Sequence, residues 1–159
     1  MRYPEFCIVP LCLAYTLAFT RGNRDKALLA CALGCTVCAD FVMVLLQDHY
    51  EISLIFFSAA QLLYCARIQL CRANRLYSAI ALPLRAALSA AMCAAAAVIM
   101  PSDVILGTAA AFYFTNLILN TAEAFALIKG GKHRILFAVG LLLFAGCDIC
   151  VGLNVGDMA

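Results

Sequence analysis

Six long apolar runs, parted by short clusters of charge, set the solvent in which this chain folds. They are Phe6 to Thr20, Ala27 to Leu46, Ile52 to Ala66, Leu76 to Met100, Val104 to Ile128 and Ile135 to Leu153. A hydrocarbon core of about 30 Å is crossed by about 20 helical residues, and an unpaired backbone group in lipid costs several kcal/mol, so each run is expected to be an α-helix. The first and third runs are short, a mismatch that tilt or local thinning of the bilayer absorbs at modest cost. Composition agrees: 66% of the residues are hydrophobic and 13% charged, against about 25% charged in a soluble domain. The expected fold is an all-α polytopic transmembrane helical bundle of about six helices, forming one domain over residues 1–159.

The charges give an independent test of that count, because Lys and Arg collect in alternate loops on the cytoplasmic side. Nine of the 11 basic residues do so: Arg21, Arg24 and Lys26; Arg67, Arg72 and Arg75; Lys129, Lys132 and Arg134. The other side holds Glu5, Asp48, Glu51, Asp103 and Asp157, with Arg2 its only basic residue. A multi-pass protein of the cell membrane, with basic loops in the cytoplasm and both termini outside, is therefore expected. The competing reading, a signal peptide over Met1 to Thr20, has no basic segment beyond Arg2 and no small-x-small cleavage site before Arg21. A net charge of +2, with basic clusters already explained by topology, gives no support for a nucleic-acid partner.

Cys35 with Cys38, and Cys147 with Cys150, have the CxxC spacing of a thiolate zinc site. Within apolar helices, however, Cys behaves as a small hydrophobe. No metal and no cofactor are expected. Ala86, Ala90 and Ala94, four residues apart, are expected to form a close-approach surface between helices.

Polar residues inside the spans carry the functional reading, since an ionisable group at membrane depth costs about 2.5–3.5 kcal/mol and tends to mark a site or a pathway. Asp40, Glu123 and Asp148 are such groups. Asp40 and Asp148 lie equally far along their runs, at a depth of about 20 Å from the basic side. Small residues precede both acids, in Cys38-Ala39-Asp40 and Gly146-Cys147-Asp148, so another backbone or a substrate chain can approach the carboxylates closely. Tyr113, Asn116, Asn120 and Glu123 share one helical face, as do Phe57, Gln61 and Tyr64. Arg85 is expected to pair with Glu123; the competing reading lets its stem snorkel to the interface. Gln61 is expected to orient a carboxylate or to bridge helices.

Between Ala27 and Gly152 the chain resembles the YhhN family of membrane proteins, which includes the lysoplasmalogenases. The resemblance lies in Ala39-Asp40-Phe41, in the aromatic helix Phe57 to Tyr64 with Gln61-Leu62-Leu63-Tyr64, and in Gly140 to Asp148 with Phe144, Cys147 and Asp148. Gln61 stands where the family pattern has His, and Cys147 where it has Ser. The resemblance also implies one or two further spans after the sixth, so a C-terminally shortened form is expected. It implies hydrolysis of the vinyl ether of a lysoplasmalogen, a membrane lysophospholipid, to a fatty aldehyde and a glycerophospho-base. Such chemistry suits two carboxyls, one protonated to give its proton to the alkenyl carbon and one ionised to stabilise charge or activate water. Asp40 and Asp148 are assigned these catalytic roles, with Gln61, Tyr64, Tyr113, Asn116 and Asn120 orienting the acids or the substrate. The competing class is a non-enzymatic bundle or small transporter in which the two Asp residues bind an ion or relay protons.

Overall fold

The computed structural model of the chain describes residues 8–19, 24–43, 50–72 and 75–156. They form helices α1 (Ile8–Phe19), α2 (Arg24–Phe41), α3 (Tyr50–Cys71), α4 (Arg75–Ile99) and α5 (Val104–Ala126), a 3-10 turn (Ile128–Gly130), and α6 (Lys132–Gly156). The fold is all-α, and among the described residues there is no strand. Four of these helices have the length and apolar composition to cross a membrane: α2 extended to Met43, α3, α4 from Ser78, and α5, with 20, 22, 22 and 23 residues. At a rise of 1.5 Å per residue these lengths match a hydrocarbon core of about 30 Å. The first expected span is a helix of 12 residues, with its expected ends at 6–7 and 20 outside the described residues. The sixth is a helix of 25 residues whose polar positions include Lys132, Arg134 and Asp148. Large apolar side chains such as Leu11, Leu84, Val98, Ile105 and Leu136 are exposed along these helices. That is the surface of a membrane protein, whose solvent is lipid.

One expected boundary is corrected. The apolar pattern ends the third run at Ala66 and places Arg67 in the following loop, whereas α3 continues through Arg67 to Cys71. Arg24 and Lys26 likewise open α2, Arg75 opens α4, and Lys132 and Arg134 open α6. Arg and Lys are good helix formers, and their long apolar stems carry the charge to the interface from a helical position, so a basic residue does not end a span.

The chain divides into two compact units, residues 1–116 and 117–159, and the division falls within the continuous helix α5. In the first unit α2 packs extensively on α3 and also meets α1. Its buried residues, Ala32, Thr36 and Ala39, are small and spaced four and three apart, which lets the neighbouring helix come close. On α3 the buried stripe is Ser53, Phe57, Ala60, Gln61, Tyr64, Cys65 and Ile68. The Ser53 hydroxyl donates to the Ala39 carbonyl at 2.9 Å, and Tyr64 and Thr36 share a hydrogen bond through their hydroxyls. Near the basic ends, Arg67 holds Asp25 through Nε and Nη2 at 2.6 and 3.1 Å, while Lys26 Nζ donates to the Leu17 carbonyl at the end of α1.

Helices α4 and α5 meet through Asp103 and Gly107. The Asp103 carbonyl accepts the first bond of α5 from Gly107, and a Cβ on Gly107 would stand 3.3 Å from Met100 Sδ. Farther along, Cys93 donates through Sγ to the Thr108 carbonyl. The expected close-approach surface at Ala86, Ala90 and Ala94 is displaced by one residue. Those alanines are exposed, and among the described side chains of α4 the buried ones are Arg85 and Ser89. Four-residue periodicity identifies a stripe but not the neighbour that a stripe faces, and polar groups took the inward position because lipid offers them no hydrogen bonds.

In the second unit, the 3-10 turn and Gly131 connect the end of α5 to α6. Gly131 has φ 125° and ψ 170°, a region that is essentially glycine's alone, and its carbonyl accepts the opening bonds of α6 from Arg134 and Ile135. A Cβ there would meet nothing within 4 Å, so any penalty is conformational. Gly131→Ala is expected to destabilise the protein by about 1–3 kcal/mol. Gly140→Ala, in the open middle of α6, should cost nothing and can gain up to about 1 kcal/mol. Thermal unfolding of the two variants in detergent checks this contrast.

Candidate functional site

Asp40 stands 16 residues after Arg24 on α2, and Asp148 stands 16 residues after Lys132 on α6. Each carboxylate is thus about 24 Å along its helix, and each is half-buried. Asp40 belongs to the first unit and Asp148 to the second. The peptide carbonyl immediately before Asp40 is the one that accepts from Ser53. Asp40 is therefore mounted where α2 is pinned to α3, and its small predecessor Ala39 is the residue that permits the contact.

The aromatic and amide residues singled out from the sequence are buried: Gln61, Tyr64, Tyr113, Asn116 and Asn120. Phe57 and Tyr113 bring α3 and α5 together, with ring centroids 5.5 Å apart and planes tilted by 39°. Glu123 is half-buried and, like Asn120, falls in the second unit.

Arg85 finds its described partner in Asn116. Arg85 is only 7% exposed. Its Nε donates to Asn116 Oδ1 at 2.8 Å and its Nη2 to the Asn116 backbone carbonyl at 3.0 Å. The Asn116 amide nitrogen donates in turn to Ser89 Oγ at 3.3 Å and to the Phe112 carbonyl at 2.8 Å. Every polar atom of the amide is committed, so the side chain is fixed and holds the guanidinium in one orientation. Burial makes that necessary, since an isolated charge in a low-dielectric interior is costly unless it is hydrogen-bonded.

A cavity of about 360 Å³ opens beside this cluster, between α3, α4 and α5. Its walls are apolar and include Leu62, Leu82, Ala86, Ala90 and Phe112; Arg85, Ser89 and Asn116 give it one polar edge. Ser53 and Ser89 were not singled out from the sequence. Spacing contained the signal: Ser53, Phe57 and Gln61 recur every four residues, as do Arg85, Ser89 and Cys93.

The YhhN family model matches residues 5–155, nearly the whole chain. The chain belongs to the YhhN family. No curated protein and no solved structure matches it. In this YhhN chain, the Ala39-Asp40-Phe41 stretch closes α2, Gln61 to Tyr64 lies in the middle of α3, and Gly140 to Asp148 lies within α6. Gln61, which stands where the resemblance has His, is fully buried. Cys147, which stands where it has Ser, is exposed.

Proposed function

We propose that this YhhN protein is a membrane hydrolase that cleaves the vinyl ether of lysoplasmalogens, with Asp40 and Asp148 as its paired acid and base. The observation that carries the reading is that, in a member of this family, two half-buried carboxylates stand equally far along apolar helices from the basic end. A lone carboxylate at that depth is expensive, and the reading gives the two acids complementary roles. One carboxyl gives its proton to the second carbon of the alkenyl chain, forming a C–H bond and leaving an oxocarbenium ion. Water adds to the first carbon as the other carboxylate takes its proton. The hemiacetal then collapses: the bond from that carbon to the glycerol oxygen breaks, the oxygen is protonated, and a fatty aldehyde leaves. No electrons change hands, and the only co-reactant is water. Gln61, Tyr64, Tyr113, Asn116 and Asn120 orient the acids and the lipid.

The basic helix ends lie in the cytoplasm in this reading, and Arg85 also pairs with Glu123. Charge reversal tests the pair: Glu123→Arg alone is expected to insert poorly, and Arg85→Glu in the same chain to restore the yield of folded protein. For the enzyme itself, the test is aldehyde release from alkenyl lysophospholipid by purified protein in nanodiscs. Release that depends on both Asp residues supports the hydrolase, whereas ion-dependent flux in proteoliposomes without aldehyde release contradicts it.

A further inference from the structure

Of the three basic clusters in the sequence, the first two spend charge inside the fold: Arg67 forks onto Asp25, and Lys26 Nζ donates to the Leu17 carbonyl. The third, at the turn from α5 to α6, displays it. Lys129, Lys132 and His133 are all exposed, while Arg134 is half-buried and engaged within the fold. No acidic residue occurs between Glu123 and Asp148, and α6 has none in its first turn, whereas α2 opens with Asp25. Lys132 and His133 therefore stand at the positive end of the α6 dipole, where a cation is disfavoured and an anion is favoured. Side-chain charge and backbone dipole have the same sign, and a negative group from outside relieves both. Gly131 keeps the turn open, since even a Cβ there would meet nothing within 4 Å. The apolar side chains next along the helix select the kind of anion. Leu136 lies four residues after Lys132 and three after His133, so it shares their face, and Val139 and Leu143 continue that face at spacings of three and four. All three are exposed. From Lys132 to Leu143 the rise is about 16 Å, close to the hydrocarbon depth of one leaflet.

We infer that the α5–α6 turn holds an anionic phospholipid of the surrounding bilayer, with its headgroup on Lys129, Lys132 and His133 and a chain along Leu136, Val139 and Leu143. Each lysine offers three N–H donors on a compact charge, and the imidazole adds a ring N–H. Net negative charge is what the cluster selects, because a zwitterionic headgroup brings its own cation to the same place. A cation near the membrane surface attracts anionic lipid in this way. The apolar strip sets a lipid apart from a soluble anion, which would use the donors and leave the strip idle. The bound lipid is not a substrate. It holds the first turn of α6 at the headgroup level and so fixes the depth of that helix, and the inference stands apart from the hydrolase reading.

The chain has no tryptophan, so Leu143→Trp places a single fluorophore on the strip. With the full chain reconstituted in bilayers, its quenching by brominated-chain phosphatidylglycerol is compared with its quenching by brominated-chain phosphatidylcholine. The anionic lipid is expected to bind there about fivefold more tightly or better, the attraction of one cation near a membrane surface. In 1 M salt, where charges are screened beyond about 3 Å, the preference should fall toward one. Lys129→Gln, Lys132→Gln and His133→Gln together should remove it, and Lys132→Gln alone should at least halve it. Leu84→Trp, exposed on α4 and about 14 Å beyond Arg75, should show no preference. Equal quenching by the two lipids at Leu143→Trp overturns the inference. So does a preference retained by the triple variant, and should that variant not fold, an unchanged preference in Lys132→Gln does the same. An equal preference at Leu84→Trp gives the attraction to the whole chain and overturns the assignment to this turn. Displacement of the lipid by millimolar inorganic phosphate overturns the lipid as the occupant.

Discussion

Asp40→Asn and Asp148→Asn are each expected to lower aldehyde release from alkenyl lysophospholipid by about a hundredfold to ten-thousandfold, the range spanned by a positioned acid or base. Asn matches Asp in size, so each half-buried site keeps its packing and loses only its proton chemistry. The neutral amide neither donates a proton to an alkenyl carbon nor accepts one from water. Because the two carboxyls act in one reaction, the double variant is expected to be little worse than either single one, as for other residues that work as a unit. Single-turnover aldehyde release from nanodisc-embedded protein measures all three. The folded state serves as the control: all three variants should unfold at temperatures close to wild type. Activity that survives in either single variant removes that residue from the mechanism.

Asn116→Leu is expected to have the largest effect on stability, about 2–3 kcal/mol, because it takes the amide oxygen from a buried guanidinium at 2.8 Å; hydrogen bonds to charged groups fall in that range. The backbone carbonyl that also receives Arg85 remains, which limits the loss. Removing the charge as well should reverse most of it. A buried polar group replaced together with its partner by apolar residues of similar size is close to neutral, whereas one left behind is not. Arg85→Met with Asn116→Leu is therefore expected to be more stable than Asn116→Leu alone, by chemical or thermal unfolding in detergent. A double variant less stable than the single one would show that the guanidinium is held chiefly by groups other than Asn116.

The sequence carried the helices well because lipid leaves the backbone no alternative to internal hydrogen bonding. It also carried the polar faces: Phe57, Gln61 and Tyr64 on α3, and Tyr113, Asn116 and Asn120 on α5, are all buried, since 3.6-residue periodicity and the cost of a polar group in lipid point the same way. Relations between faces were less legible. The pairing of Arg85 with Asn116 depends on how α4 is rotated against α5, and the Ala86, Ala90, Ala94 stripe sits one residue from the buried Arg85 and Ser89, a rotation of about 100° that composition does not specify. The fork between Arg67 and Asp25 was hidden for a related reason. A rule that assigns basic residues to loops treats their charge as a topology signal, and the partner stands 42 residues earlier on another helix. Ser53 was not legible because a serine near a helix end ordinarily lies at the surface, and only the register of α3 on α2 turns it toward the Ala39 carbonyl.

The hydrolase reading requires the Asp40 and Asp148 side chains to face each other across the interior, and cysteine cross-linking addresses this most directly. In a chain whose native cysteines are replaced, Asp40→Cys with Asp148→Cys is treated in membranes with a short bifunctional thiosulfonate. Ala39→Cys with Ser53→Cys, whose native groups are hydrogen-bonded at 2.9 Å, reports that the reagent reaches that depth. The expected result is efficient intramolecular bridging of the 40–148 pair and none when position 40 is combined with Leu136→Cys on the exposed face of α6. Bridging of the control pair without bridging of 40 and 148 would contradict a shared active site.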